Sequence, residues 1–273
     1  MTKGLSIHIG LNRVDPNHYK DEFGNPWEGH LAACEADAKS MQAIAAAQGL
    51  ETQLLLTDQA SSQAVVDAIK QAAKEVSGGD FFLITYAGHG GQVPDLNSGV
   101  EEEEDQMDET WCLFDRELID DELYALWGEF EPGVRILMVS DSCHSGTAAR
   151  DLEPQKDAET RVLPLEVQAG TYRENQALYD GLQAGNLAKQ DTDLAATVVL
   201  LAGCQDDQVS YDGKVNGLFT SKLLEVWNNG TYQGDLPTFL KQIVAKMPSY
   251  QVPNYFQTGV PDPQFERQRP FTV

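Results

Sequence analysis

Short, unbroken apolar runs alternate along this chain with longer stretches whose apolar residues recur every three or four positions. The runs are Leu5–Leu11 (LSIHIGL), Thr52–Leu56 (TQLLL), Phe81–Tyr86 (FFLITY), Ile136–Val139 (ILMV) and Thr197–Ala202 (TVVLLA). Apolar runs of this length bounded by turn formers suit strands buried on both faces, as in a parallel sheet. Between them, Leu31–Gln48 carries Leu31, Cys34, Ala38, Met41 and Ile44–Ala45 at helical spacing, and Gly49 is placed to close the helix. Ser61 and Ser62 offer N-caps to a second helix reaching about Val76, where Ser77-Gly78-Gly79-Asp80 stops it. Asp120 or Asp121 caps a third helix through Asp121–Gly128, and Phe219–Trp227 reads as a fourth. Trp111–Phe114 predicts a short strand, and Arg269–Val273 an edge strand. Strands alternating with helices predict βαβ units, hence an α/β fold with a mainly parallel central sheet flanked by helices.

Two stretches depart from this pattern. Asn12–Gly29 holds Pro16, Gly24, Pro26 and Gly29, so it reads as an irregular loop packed through Tyr19, Phe23 and Trp27. From Arg150 to about Leu194 the chain is polar and weakly periodic, and it is punctuated by Pro154, Pro164, Gly170, Gly181 and Gly185. A structureless loop of that length is out of place in a compact domain, so the stretch is expected to be functional, mobile or partly helical. The chain reads as one domain, 1–273, in which a linker over 151–194 separates a larger part, 1–150, from a smaller one, 195–273.

Composition changes the picture through charge. The 273 residues include 43 acidic and 19 basic side chains. Such a surface argues against nucleic acid and anionic membranes as partners and favours cationic substrates or metal ions. No apolar run approaches the ~18 residues that span a bilayer. The Met-Thr-Lys-Gly-Leu start shows no signal peptide, which predicts a cytoplasmic location. Cys34, Cys112, Cys143 and Cys204 are widely spaced with no CxxC pair, so they read as free thiols.

The candidate chemistry lies where two of the runs end. Phe81–Tyr86 breaks into Ala87-Gly88-His89-Gly90-Gly91, and Ile136–Val139 into Ser140-Asp141-Ser142-Cys143-His144-Ser145-Gly146. In a parallel sheet all C-terminal strand ends lie on one edge, where ligand and reaction sites of open α/β sheets gather. A cysteine there needs a histidine beside it to react as thiolate near neutral pH. His89 and Cys143 are therefore the candidate dyad, and the backbone N–H groups of Gly90 and Cys143 the candidate oxyanion donors. Taken alone, either residue is as readily a core thiol or a structural hydrogen-bonder; the pairing on one edge is what favours catalysis. Asp141 shares a side of its strand with Cys143, and Asp37 lies on the helix after the first strand. Two carboxylates beside the nucleophile would suit a guanidinium. Asp206 and Asp207 follow the fifth run at the same edge, where a substrate contact is conceivable. Glu101–Asp105 reads as a solvated acidic loop, and His144 as secondary to the dyad.

YAGHGG (Tyr86–Gly91) with DSCHSG (Asp141–Gly146) resembles the histidine and cysteine boxes of the metacaspases, in their bacterial orthocaspase branch. Similarity extends to IGLNRVDP (Ile9–Pro16), CEADA (Cys34–Ala38), AGCQDDQVS (Ala202–Ser210) and GLFT (Gly217–Thr220). The resemblance implies a caspase-like three-layer sandwich and a cysteine endopeptidase with His89 and Cys143 as dyad. It also implies cleavage after Arg or Lys in protein or peptide substrates, with Asp37 and Asp141 lining the S1 pocket, and a monomer. Ala87 departs from the family, which often has serine two residues before the histidine. No cofactor is expected for catalysis. Calcium is implied for many metacaspases, and Asp108, Asp120 and Asp121 match its ligands, whereas the fourth position falls near Arg150, with Asp151 one step away. Self-processing is expected within 150–194, with Lys156, Arg161, Arg173 and Lys189 as candidate sites. Rival readings are a catalytically silent caspase-fold scaffold that acts by binding, and a calcium-binding regulatory module built on residues 101–121.

Overall fold

A computed structural model describes residues 2–96, 106–143, 159–190, 194–205 and 208–273. The apolar runs become β1 (Gly4–Gly10), β2 (Glu51–Leu56), β3 (Phe81–Ala87), β7 (Arg135–Asp141) and β8 (Thr197–Ala202). With β9 (Asn254–Gly259) they form a six-stranded sheet in the order β2-β1-β3-β7-β8-β9. Every neighbouring pair is parallel except β8 with β9. A separate antiparallel sheet contains β4 (Gly90–Pro94), β5 (Met107–Cys112) and β6 (Glu117–Ile119) in that order.

The central strands are apolar on both faces because both are covered. Along β3, Phe82, Ile84 and Tyr86 join one core with Val65, Ile69, Leu126 and Trp127 of α2 (Ser62–Glu75) and α3 (Asp120–Trp127). The alternate residues, Phe81 and Leu83, join the other. There they meet Met41 and Ile44 of α1 (Cys34–Ala47), Phe219 and Leu223 of α5 (Leu218–Trp227), and Phe239 and Ile243 of α6 (Leu236–Val244). Successive side chains on a strand point to opposite faces, so a continuous apolar run is what three layers require. The expected α/β sandwich is the observed one. A long α4 (Leu165–Gln190), kinked at Asn175, lies against α3 and β4, and a short α7 (Pro263–Glu266) follows β9. Among the described residues no helix is long and apolar enough to cross a membrane.

Several boundaries differ from expectation. Arg269–Val273 is not a strand: Phe271 is buried, its ring 5.1 Å from Trp227 and 5.7 Å from Phe239. The aromatic core captures this tail, and the sheet edge belongs to β9. The strand expected at Trp111–Phe114 lies earlier, as β5, and pairs on both sides. Ile119, rather than Asp120 or Asp121, occupies the N-cap of α3; Glu122 reaches back to accept the Ile119 N–H at 3.2 Å. The first helix begins at Cys34 rather than Leu31. Ser61 caps α2 as expected, its hydroxyl accepting the Ala64 N–H at 3.3 Å. All four cysteines are free and buried.

Candidate active site

Strands β3 and β7 end level with one another, with Ala87 opposite Asp141. His89 and Cys143 each stand two residues beyond those ends, and both are buried. The imidazole Nε2 lies 2.9 Å from the Gly29 carbonyl oxygen. A carbonyl only accepts, so Nε2 carries the proton and Nδ1 holds the lone pair. Nδ1 is buried without a hydrogen-bond partner. Burial pushes the imidazole pKa down to about 4, with the Gly29 carbonyl pulling the other way. His89 is thus neutral near pH 7 and has a free basic nitrogen.

The Cys143 thiol faces the backbone of Ser210: Sγ accepts the Ser210 N–H and lies 3.6 Å from the Ser210 carbonyl. Cys204 is its buried neighbour. The Cys204 thiol donates to the Ser142 carbonyl at 3.3 Å, and a hydrogen bond to Cys143, with burial, raises it well above the usual thiol range.

Beside the nucleophile lies a closed acidic pocket, and a residue of the chain itself fills it. The Arg161 side chain is fully buried. Its Nη2 sits 2.5 Å from Asp37 Oδ2 and 2.8 Å from Asp212 Oδ1, and its Nη1 3.0 Å from Asp141 Oδ2. Each carboxylate is held by further donors. Asp37 accepts from Asn216 Nδ2 at 2.8 Å and from the Gly217 N–H at 3.0 Å. Asp141 accepts from the hydroxyls of Ser210 (2.6 Å) and Thr220 (2.7 Å), and Asp212 from the Ala32 N–H (2.6 Å). Three buried carboxylates around one guanidinium leave excess negative charge. Burial accordingly raises Asp37 to about 6, with Arg161 opposing and Asp141 adding to the shift. A Cβ on Gly217 would come within 2.5 Å of Arg161 Nη2, so only glycine leaves room for the guanidinium there.

The backbone of the same segment runs through the dyad. Arg161 N–H donates to the Ser210 carbonyl at 2.9 Å, Asp212 N–H to the Glu159 carbonyl at 2.8 Å, and Thr160 bridges Tyr211 in antiparallel fashion. The Arg161 carbonyl oxygen accepts the N–H groups of Cys143 and Gly90, each at 3.1 Å. Beyond it, Val162 bridges Gly90, and Leu163 N–H donates to the Gly90 carbonyl at 2.7 Å. The segment thus places its side chain in a charged pocket and its carbonyl on two N–H groups, one of them that of Cys143.

His89, Cys143, Gly90, Asp37 and Asp141 thus lie at one end of the sheet around Arg161. Asp212 was missed. It belongs to no periodic element, and one acid among 43 carries no local signal; the need for further charge around a buried cation could have pointed to it. Of the four basic candidates, Arg161 lies in the acidic pocket. Arg173 lies instead on α4, donating to the Glu22 carbonyl. Lys156, the side chain of Lys189, His144, Arg150, Asp151, Asp206, Asp207 and Glu101–Asp105 lie outside the described residues. Asp108 sits on β5, and Asp120 and Asp121 open α3. Among the described residues no group of three or more His, Cys, Asp or Glu side chains is placed to hold a metal ion, so these aspartates do not make a donor set by themselves. No step below runs through calcium.

Residues 14–265 match the family model described as the caspase domain. Metacaspase-1A of Aspergillus fumigatus is 28% identical over 259 residues, covering 81% of this chain and 59% of its own length. Metacaspase-1 of Schizosaccharomyces pombe is 29% identical over 261 residues, covering 81% and 58%. This chain therefore spans less than two thirds of the length of those relatives. A solved structure of a Geobacter sulfurreducens protein is 48% identical, with a TM-score of 0.87 over 99% of both chains. Caspase-1 of Spodoptera frugiperda, at 12% identity, shares the fold with a TM-score of 0.53 over 94% of this chain and 86% of its own. With its family model matched over nearly its whole length and its two box motifs meeting at one sheet edge, the chain belongs to the caspase-domain family of peptidases.

Proposed function

We propose that the protein is a cysteine endopeptidase that cleaves after arginine or lysine, and that its first substrate is its own Arg161–Val162 bond. The observation that carries this reading is the double engagement of Arg161: guanidinium among three carboxylates, carbonyl oxygen on the N–H groups of Cys143 and Gly90. In the reaction His89 Nδ1 takes the thiol proton and Sγ attacks the Arg161 carbonyl carbon. The resulting oxyanion forms where the two N–H donors already point. Imidazolium then protonates the Val162 nitrogen as the C–N bond breaks, leaving a thioester at Arg161. Water, deprotonated by His89, hydrolyses it and restores the thiol. The same pocket then accepts Arg or Lys of other protein or peptide chains.

Mass spectrometry of the purified protein tests the self-cleavage. The expected products are 1–161 and 162–273, both absent from the Cys143→Ala and Arg161→Ala variants. Fluorogenic peptides ending in Arg, Lys or Asp test the specificity, with Arg and Lys cut and Asp not. Arg-peptide activity surviving in Cys143→Ala would overturn the mechanism. Intact mass alongside Arg-peptide activity would overturn self-cleavage alone.

A further inference from the structure

The loop between β1 and α1 supplies a part of this site that neither the dyad nor the pocket accounts for. Trp27 lies on that loop, half-buried, with its ring 4.9 Å from the His89 imidazole at an interplanar angle of 56°. Two residues on, Gly29 turns with φ of +55° and brings its carbonyl to His89 Nε2. A Cβ on Gly29 would lie 2.4 Å from the Trp27 ring, so the indole folds back over the residue that binds the imidazole. The ring is held from behind as well. It packs against Val14, Tyr19, Cys112, Leu163 and Val167, and the Trp27 backbone N–H donates to the Tyr19 carbonyl at 2.9 Å. Tyr19 is itself fixed by its hydroxyl, which donates to the Leu113 carbonyl at 2.8 Å.

We propose that Trp27 is a positioning residue for the reaction: its indole clamps the Gly29 turn and the face of His89, holding the imidazole in the tautomer that leaves Nδ1 free as the base. Three neighbours fix what the imidazole can do. Gly29 binds one nitrogen, Trp27 covers a face, and the Tyr86 hydroxyl donates to the His89 backbone carbonyl at 2.6 Å. The first two act on the ring and both come from the 12–29 loop; the Val162 backbone acts on it from the opposite segment. The charged groups that act on it are Arg161 and Asp212, with opposite signs, and they sit across the site from the indole. A neutral imidazole exchanges between tautomers unless a fixed acceptor selects one. The Gly29 carbonyl, held beneath the indole, is the acceptor that selects the Nε2–H tautomer. The inference rests on the peptidase reading for its kinetic consequence, but its structural content does not.

Two substitutions separate aromatic clamping from simple packing: Trp27→Phe keeps a ring, and Trp27→Leu keeps apolar bulk without one. The direct probe is nitrogen NMR of the protein carrying 15N-labelled histidine, with His89→Gln identifying the His89 signals among the five histidines. Wild type and Trp27→Phe are expected to show one tautomer, protonated on Nε2, and Trp27→Leu a mixture. Cleavage of an Arg-terminated fluorogenic peptide should fall by about 10–100-fold in kcat for Trp27→Leu with KM within about threefold, because misplacing a catalytic group by an ångström costs on that order. Trp27→Phe should stay within about threefold of wild type. An unmixed Nε2–H tautomer in Trp27→Leu overturns the proposal, as do equal kcat losses in both variants that follow their melting temperatures. If wild type cleaves no Arg peptide the peptidase reading fails, and the tautomer measurement still decides the role of Trp27.

Discussion

The carbonyl oxygen of Arg161 lies 3.1 Å from the backbone nitrogen of Cys143, while the side chain of the same residue reaches Asp141, two positions before that cysteine. One residue therefore supplies the pocket's cation and occupies the N–H groups of Cys143 and Gly90. The segments just beyond β3 and β7 supply these N–H groups, and the stretch after residue 150 supplies the occupant. The uncut chain is held together at its active site by the bond that we propose it breaks.

Replacing Arg161 by alanine leaves Asp37, Asp141 and Asp212 buried without their cation. Removing one partner of a buried ion pair costs about 3–5 kcal/mol. The cost depends on pH. Arg161 holds the raised Asp37 pKa down, so its removal raises that pKa further, and a carboxyl with a raised native pKa loses stability as pH rises from its unfolded value. Asp37 already sits at about 6 with Arg161 present. In a Cys143→Ala background, which keeps the chain intact, Arg161→Ala should lower Tm more at pH 8 than at pH 5. Thermal denaturation at the two pH values checks this, and an equal drop at both would contradict the burial argument.

Asp212 is expected to set substrate choice as strongly as the two aspartates legible in the sequence. It takes the guanidinium at 2.8 Å while Ala32 N–H fixes its second oxygen. A charge-assisted hydrogen bond contributes about 1.5–3 kcal/mol, so Asp212→Asn should reduce kcat/KM for an Arg-terminated peptide by about 10–100-fold. Steady-state kinetics measure it; unchanged kcat/KM would place substrate arginine elsewhere.

The contrast between Asp212 and Asp141 shows where sequence reading reaches its limit. Asp141 ends a strand whose middle, Ile136–Val139, is wholly apolar, so its position follows from the strand's direction. Cys143 and His89 are legible for the same reason, since a parallel sheet brings its strand ends to one edge. Asp212 follows no regular element, and the pairing of Thr160 with Tyr211 that organises its surroundings is long-range. Helix α4 was legible only as one of three alternatives for the 150–194 stretch. Its apolar residues make no clean stripe, and it docks through polar contacts such as Gln183 to the Pro94 carbonyl (2.8 Å) and the Tyr179 hydroxyl with His18 (2.7 Å). Periodicity detects burial of one continuous apolar face; Asp212 has none, and α4 divides its buried residues between two small clusters, Val167 in one and Tyr179 in the other. Strand β9 was missed because an edge strand with alternating exposure carries little apolar signal.

Gly217 tests the size of the pocket rather than its charge. Its φ is −57°, which alanine adopts without strain, so the only effect of a methyl group is to occupy space. That space is taken by the Arg161 guanidinium, with Nη2 at 2.5 Å and Cζ at 2.6 Å from the new carbon. Gly217→Ala should raise KM for Arg peptides more than for Lys peptides, since a compact ammonium leaves more room than a planar fork. The Arg/Lys ratio of kcat/KM is the measurement, and a ratio that stays constant would show that the guanidinium binds differently.

Glu117 offers a pH signature outside the site. Its side chain is fully buried, with Oε2 accepting the Thr110 hydroxyl at 2.6 Å and Oε1 without a hydrogen-bond partner. Burial raises its pKa from 4.5 to about 7, opposed by the Thr110 bond. Between those values the unfolded chain ionises the group while the native protein keeps the proton. The native state therefore loses stability as pH rises from about 4.5 to about 7, and nothing further above it. At about 1.4 kcal/mol per unit the full effect is roughly 3 kcal/mol. Glutamine cannot ionise, so Glu117→Gln removes this slope, and any fixed cost of burying its amide cancels in the comparison. The difference in Tm, variant minus wild type, should grow in the variant's favour from pH 4.5 to pH 7 and then level off. Both chains are measured in the Cys143→Ala background, where self-cleavage cannot intervene. A difference that stays flat across that window would show that Glu117 is ionised in the native protein despite its burial.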